Sequence, residues 1–544
     1  MENKSEGTLY KGAFLLLVAN FFVKIIGILY KVPLTNMVGT YCMGFFNQAF
    51  EVQQVFLAFS TAGLPVALSK MVSESNSLGR FRETRKIFRV VLTTFAIVGL
   101  VGSLLMFFGS SFFAVIIETP LAKYSLMALA PAMFFLSITA AIRGFFQGHN
   151  RMEPTAVTQV IEAVVKVALG IGLAYLFMQN GLGAEYVSAG AILGTTFSTL
   201  TATLLMASLF IFFAKRLEPY KTVHATGVEI DDTCRTTGQI LKYAIGIIVP
   251  ITIGSVVVNL TSFLDLFLIM RRLGDIGLSS ETATSIYGAY KSCAQTLFNL
   301  PPSIITSVNL SFIPAASAAF IRRDRKNLNR ICSKAVKLVM IFAVPCSIGL
   351  MVFAKPILTL FYPSIPNDVA LATPLLRILG FASLWVSISS ILTALLQAVG
   401  KMKLPLVSMA AGGAVKLVIN YILVGIPAIG ITGAPVGTAL CYVVMAAMNI
   451  WFLRKYSGVQ PNLLRSIIKP LMAAVAMGGA GYLLYWLLEK AVGTNVSIII
   501  SLIFCVCIYF VVLLLIGGIT PSDVAGLPGG KKLSTIVAKL SRKK

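Results

Sequence analysis

Two lysines seven residues apart, Lys24 and Lys31, sit in the run FFVKIIGILYK at residues 21–31, which is otherwise apolar. Seven residues is two helical turns, so both ammonium groups lie on one face. A second cluster reads Glu162 and Lys166, four apart and in the order that favours a helical ion pair. Lys416 stands in a later apolar run with Asn420 as its local polar neighbour. Glu51, followed by Gln53 and Gln54, makes a polar patch, and Asp265 and Arg272 repeat the seven-residue spacing of Lys24 and Lys31. An ionisable group at the centre of a membrane helix costs roughly 2.5–3.5 kcal/mol on insertion scales. Such groups must therefore face protein or water. Cations there could hold an anion, and carboxylates could neutralise a cation or couple to an ion.

The elements carrying these residues are read from composition. Of 544 residues, 57% are hydrophobic and 12% are charged, about half the charge of a soluble protein. Apolar runs of about 20 residues, each long enough to cross roughly 30 Å of hydrocarbon as a helix, recur throughout. The chain reads as an all-α polytopic membrane protein. Its fourteen expected spans cover about 10–33, 45–70, 88–110, 121–146, 154–178, 185–213, 243–271, 283–319, 335–354, 369–398, 404–428, 432–453, 466–488 and 494–518. Segment 356–362 is too short to cross and is expected at the interface. Span 283–319 contains Pro301, Pro302 and Pro314, which predicts a kink or break. The first run is too long for a signal peptide and is expected to stay as the first span.

A net charge of +25 does not point to nucleic acid, because the Lys and Arg residues concentrate in alternate short loops. That asymmetry predicts cytoplasmic N- and C-termini and contact with anionic lipids. Arg143 is counted with these cytoplasmic loop cations, whereas Lys24, Lys166 and Lys416 fall inside spans. The loops RFRETRKIFR (80–89) and RRDRKNLNR (322–330) read as orientation signals. The eight cysteines are scattered and the two histidines form no cluster, so no disulfide framework, metal site or cofactor is expected. No Walker A pattern is complete, since GLPGGKK at 526–532 lacks the required spacing. No catalytic dyad stands out. The pattern favours a secondary transporter, coupled to membrane potential or a monovalent ion, over an enzyme.

The chain resembles itself at an offset of about 250. QGHNRMEP (147–154) matches QAVGKMKLP (397–405), each followed by a span with one deep lysine, Lys166 or Lys416. GAILG (190–194) matches GAPVG (433–437), and LPVALSK (64–70) parallels IPAASAA (313–319). The glycine pairs read as close helix packing. Two parallel six-span repeats predict two lobes about a central cavity. The expected boundaries are an N-lobe at 1–214, a linker at 215–242, a C-lobe at 243–455, and two added spans with a basic tail at 456–544. If spans 1 and 7 flank that cavity, Lys24 meets Asp265 across it. Arg271, Arg272 and Lys291 lie at outer span ends, where interfacial anchoring is the simpler reading.

STAGLPVALSKMVSE (60–74) and RGFFQGHNRMEPTAVTQVIE (143–162), with the six-plus-six-plus-two organisation, resemble the polysaccharide-biosynthesis and stage V sporulation protein B family. That family belongs to the multidrug/oligosaccharidyl-lipid/polysaccharide exporter superfamily and is similar to the MurJ lipid II flippases. The resemblance implies a V-shaped two-lobe fold with alternating access. It implies a substrate of undecaprenyl-pyrophosphate carrying sugars, moved from the inner to the outer leaflet of a bacterial plasma membrane. The products would serve peptidoglycan, spore cortex or polysaccharide synthesis, with cell-wall enzymes as partners. It also implies cavity-lining cations on spans 1, 2 and 8 and a lipid-tail groove on spans 13 and 14. Lys24 fits the span 1 role and Lys291 the span 8 role; Glu51 stands where span 2 would carry an arginine. The substrate-binding set is thus Lys24, Lys31, Glu51, Asp265, Arg272 and Lys291, with Glu162, Lys166 and Lys416 as coupling or ion-pair residues. The alternative is a proton- or sodium-coupled multidrug cation exporter of the same superfamily, using Asp265, Glu51 or Glu162.

Overall fold

In the computed structural model the described residues are 2–214, 234–459 and 463–519. Their regular elements are all helical, without a strand. In chain order they are α1 (Glu2–Thr61), α2 (Leu64–Ser77), α3 (Phe81–Phe108), α4 (Ser110–Ile116), α5 (Lys123–Gly148), α6 (Glu153–Gln179) and α7 (Ala184–Ala214). After the linker come α8 (Thr237–Asp275), α9 (Ser280–Ala289), a π-helical turn (Tyr290–Ala294), α10 (Gln295–Phe298), α11 (Leu300–Ile321) and α12 (Arg325–Val352). The chain continues through α13 (Ala354–Phe361), α14 (Pro366–Ala398), α15 (Leu404–Val424), α16 (Gly433–Ser457), α17 (Leu463–Val492) and α18 (Thr494–Leu515).

Twelve helices among the described residues are long and apolar enough to cross a membrane. The expected fourteen differ from this at two places. Span 1 and most of span 2 lie within α1, whose 60 residues bend at Gly39 (φ 78°, ψ 171°), and the end of span 2 continues into α2. An L side chain is strained at that φ, so glycine is what lets the chain break there. The expected span 283–319 is divided among α9, the π turn, α10 and α11. Lipid offers no partner for a freed backbone carbonyl. Around the π turn, side chains supply the partners: Thr296 donates to the Lys291 carbonyl at 3.3 Å and Tyr362 to the Ser292 carbonyl at 2.8 Å. Pro301 then stands in the first turn of α11, where its missing N–H costs little.

The chain divides into two compact units, Met1–Arg271 with Ser279–Gly288, and Arg272–Leu278 with Ala289–Lys544. In the first, α5 packs against α2, α3 and α7, and α1 lies along α6. Gly194 of GAILG faces the backbone of Gly170, and no Cβ fits between them. The motif thus serves the close packing of α6 and α7. In the second unit α12 packs against α14 and α17, and α18 lies along α17. Gly437 of GAPVG abuts the Asn420 side chain rather than its backbone.

Residues 215–233 of the expected linker lie outside the described residues, and helix α8 already begins at Thr237. Its entry is tied to the α2–α3 turn. Arg235 reaches Glu74 at 3.2 Å and Glu83 at 3.3 Å, Tyr243 donates to Glu74 at 2.8 Å, and Lys86 donates to the Arg235 carbonyl at 2.7 Å. At the end of α5, burial holds the His149 imidazole below its ordinary pKa, and its ring sits 2.9 Å from the Phe145 carbonyl.

Candidate functional site

The bend at Gly39 folds the two limbs of α1 beside α5 and α6, and a polar cavity of about 520 Å³ opens among them within the first unit. The first limb supplies Tyr30 and Lys31, the second Asn47 and Phe50, α5 supplies Arg143, and α6 supplies Gln159, Glu162 and Lys166. Three cations face one carboxylate.

Each charged group is held by a specific neighbour. Lys31 donates to Asn47 Oδ1 at 3.0 Å, bridging the two limbs. Asn47 is itself oriented by donating to the Met43 carbonyl. Arg143 pairs with Glu162 at 3.0 Å, and both side chains keep about a fifth of their surface open, 19% and 21%. Lys166 lies over the rings of Phe50 and Tyr30, 4.9 and 5.3 Å from their centroids. An ammonium over an aromatic face is attracted by the ring quadrupole without being neutralised. The Tyr30 hydroxyl is anchored on the Ala191 carbonyl at 3.1 Å, which fixes that ring. Arg143 Nε and Gln159 Oε1 are buried with no hydrogen-bond partner among the described residues. This arrangement can accept an anion with several oxygens through charge-assisted hydrogen bonds.

The structure thus brings together three of the sequence-derived residues: Lys31, Glu162 and Lys166. It corrects one pairing. Glu162 takes Arg143 as its hydrogen-bonded partner rather than Lys166, because a guanidinium from the neighbouring helix reaches it directly. Arg143, counted as a loop cation, lies within α5 and points into the cavity. Asn47 and Gln159 also went unread as site residues; uncharged amides carry no signal that separates them from ordinary interhelical contacts.

The other residues lie elsewhere. Lys24 is exposed on α1 and makes no ion pair among the described residues, while Asp265 is 1% exposed, so the expected Lys24–Asp265 pair is not formed here. Glu51 is half-buried on the second limb of α1. In the second unit Arg272 pairs with Asp275 at 2.7 Å and donates to the Tyr421 carbonyl at 2.9 Å. Lys291 sits in the π turn, 7% exposed. Lys416 is half-buried on α15.

The second unit holds an apolar cavity of about 420 Å³. Pro301, Pro345, Phe353 and Phe361 meet Met477 of α17 and Leu502, Val506 and Phe510 of α18 around it. Its polar atoms are already occupied: the Tyr509 hydroxyl donates to the Ile341 carbonyl at 2.7 Å. Hydrocarbon is what such a cavity can hold.

The family model described as polysaccharide biosynthesis protein matches residues 9–320, and one described as MatE matches residues 250–422. The lipid II flippase MurJ of Bacillus subtilis is 24% identical over 88% of this chain and 89% of its own length. Stage V sporulation protein B of the same organism is 26% identical over 79% and 80%. Among solved structures, lipid II flippase MurJ in an inward closed conformation superposes with a TM-score of 0.65 at 17% identity, covering 92% of this chain and 98% of that one. An inward-facing multidrug MATE transporter of the MOP superfamily gives 0.65 at 16% identity, covering 80% and 94%. With a model matched across more than half its length, the chain belongs to the polysaccharide biosynthesis protein family.

Proposed function

We propose that this protein is a flippase that moves an undecaprenyl-pyrophosphate-linked sugar precursor, of the lipid II type, from the inner to the outer leaflet of a bacterial plasma membrane by alternating access. The N- and C-termini face the cytoplasm in this reading. The observation that carries it is the cavity of α1, α5 and α6, where Lys31, Arg143 and Lys166 face one carboxylate, Glu162. A pyrophosphate diester bears about two negative charges, to which Lys31, Arg143 and Lys166 can offer charge-assisted hydrogen bonds. The apolar cavity beside α17 and α18 suits the polyprenyl chain. Lys24 lies two turns before Lys31 on the same face, about 10 Å along the helix, and serves as the next cation on the anion's path. A membrane potential negative inside favours outward anion movement by about 2.3 kcal/mol per charge per 100 mV, so no nucleotide is required. Peptidoglycan, spore cortex or other polysaccharide synthesis would use the product.

The second reading is an ion-coupled multidrug cation exporter, favoured by the MatE match over residues 250–422. Against it, three cations in one cavity repel a cationic drug. The test is flipping of a lipid II-type precursor in proteoliposomes by wild type and Lys31→Gln. The flippase reading expects transport that falls about 10-fold or more in the variant, equivalent to ~1.4 kcal/mol. No precursor transport, with efflux of an organic cation by both proteins, would establish the exporter instead.

A further inference from the structure

Glu162 is the anomaly in an anion site. Its carboxylate sits 3.0 Å from the Arg143 guanidinium, the group best shaped to grip a phosphate. Two observations argue against a purely structural pair. First, its surroundings are incompletely satisfied: Arg143 Nε and, one turn before Glu162, Gln159 Oε1 are buried with no hydrogen-bond partner among the described residues. Second, the chain contains its own control. At the offset of 250 that relates the repeats, Thr393 stands in place of Arg143 and Gly412 in place of Glu162, while Lys416 keeps the place of Lys166. Thr393 there accepts a neutral hydrogen bond from Asn449 at 3.1 Å, and Gly412 faces the Cys441 carbonyl. The repeat architecture therefore forms without an ion pair at this position.

A carrier must release what it binds, so binding must be favourable enough for entry and weak enough for exit. Carboxylate and phosphate make the same kind of charge-assisted hydrogen bond to arginine. We propose that Glu162 is a built-in competitor: it occupies Arg143 in the empty cavity, yields the guanidinium to a phosphate oxygen of the substrate, and reclaims it as the substrate leaves. This rests on the anion-binding reading of the cavity given above. Glu162 is then the residue that sets affinity against turnover.

The test titrates farnesyl pyrophosphate into the purified full chain in detergent and measures precursor flipping in proteoliposomes. Glu162→Gln is expected to bind about 10-fold tighter and to flip more slowly, whereas Arg143→Gln binds about 10-fold weaker. Glu162→Asp, which draws the carboxylate back from Arg143, should also tighten binding, and it serves if Glu162→Gln does not fold. Because Glu162→Asp keeps the negative charge and only draws it back from Arg143, tighter binding in that variant reports release of the guanidinium rather than simple loss of charge. Binding no tighter than wild type in the folded Glu162 variants, while Lys31→Gln still weakens it, overturns the competitor and leaves the anion site standing. Wild type that does not bind the probe, with Lys31→Gln indistinguishable from it, overturns the anion site and the competitor together.

Discussion

The two cavities are similar in size, about 520 and 420 Å³, and opposite in chemistry. The first gathers its charged side chains from α1, α5 and α6. The second is lined largely by Phe, Leu, Ile and Pro, and its far wall is α17 and α18. In a bilayer this contrast has a direct meaning. Hydrocarbon can fill the second cavity at little cost, whereas the first must hold water or a ligand to satisfy its charges. The amphiphile proposed above, with an anionic head and a long tail, would have use for both environments.

The contrast can be broken most severely at the polar cavity. Arg143→Glu sets a second carboxylate against Glu162, and precursor flipping should fall by about 100-fold, or ~2.7 kcal/mol. Combining it with Glu162→Arg should recover part of the loss in the same proteoliposome assay; no recovery would mean that the order of the two charges along the cavity matters. A smaller effect is expected at the apolar cavity. Leu502→Asp places a carboxylate among hydrocarbon groups at an insertion cost of roughly 2.5–3.5 kcal/mol. Affinity for a long-chain polyprenyl pyrophosphate should drop about 10-fold, while that for farnesyl pyrophosphate holds. Equal loss for both ligands would end the division of labour between cavities. The smallest effect belongs to Lys166→Met, which keeps an unbranched side chain over Phe50 and Tyr30 but removes the charge. Farnesyl pyrophosphate affinity should fall about 3-fold and its dependence on salt should become shallower, which titrations at two ionic strengths would read.

Much of this was legible in the chain. Apolar length gave the helices, the seven-residue spacing from Lys24 gave Lys31, and the charges within one span gave Glu162 and Lys166. Two kinds of information were hidden. Loop-charge counting assigned Arg143 to the cytoplasm because it lies near a span's end, yet α5 runs on to Gly148 and keeps the guanidinium within reach of α6. The i,i+4 rule offered Lys166 to Glu162 because it ranks only neighbours on one helix. A cation from an adjacent helix is invisible to it. Likewise, apolar length cannot tell two spans from one bent element: the sharp bend at Gly39 depends on a single φ. Lys24 and Lys31 share a helical face by spacing, but the surroundings of that face change along the helix, so only Lys31 lines the cavity.

The π turn at Tyr290–Ala294 has a consequence for how this protein can vary. It amounts to one extra residue taken up inside an otherwise continuous helical run. Substitutions within it leave the phase of the run intact. Deleting one residue would close the turn back to α-helical spacing and leave the flanking stretches near their present phase, whereas inserting a further one would rotate the side chains on one side by about 100° relative to those on the other. Buried Cys293, Leu297 and Phe298 could not all keep their present neighbours after such an insertion. This stretch therefore tolerates the loss of a residue better than the gain of one.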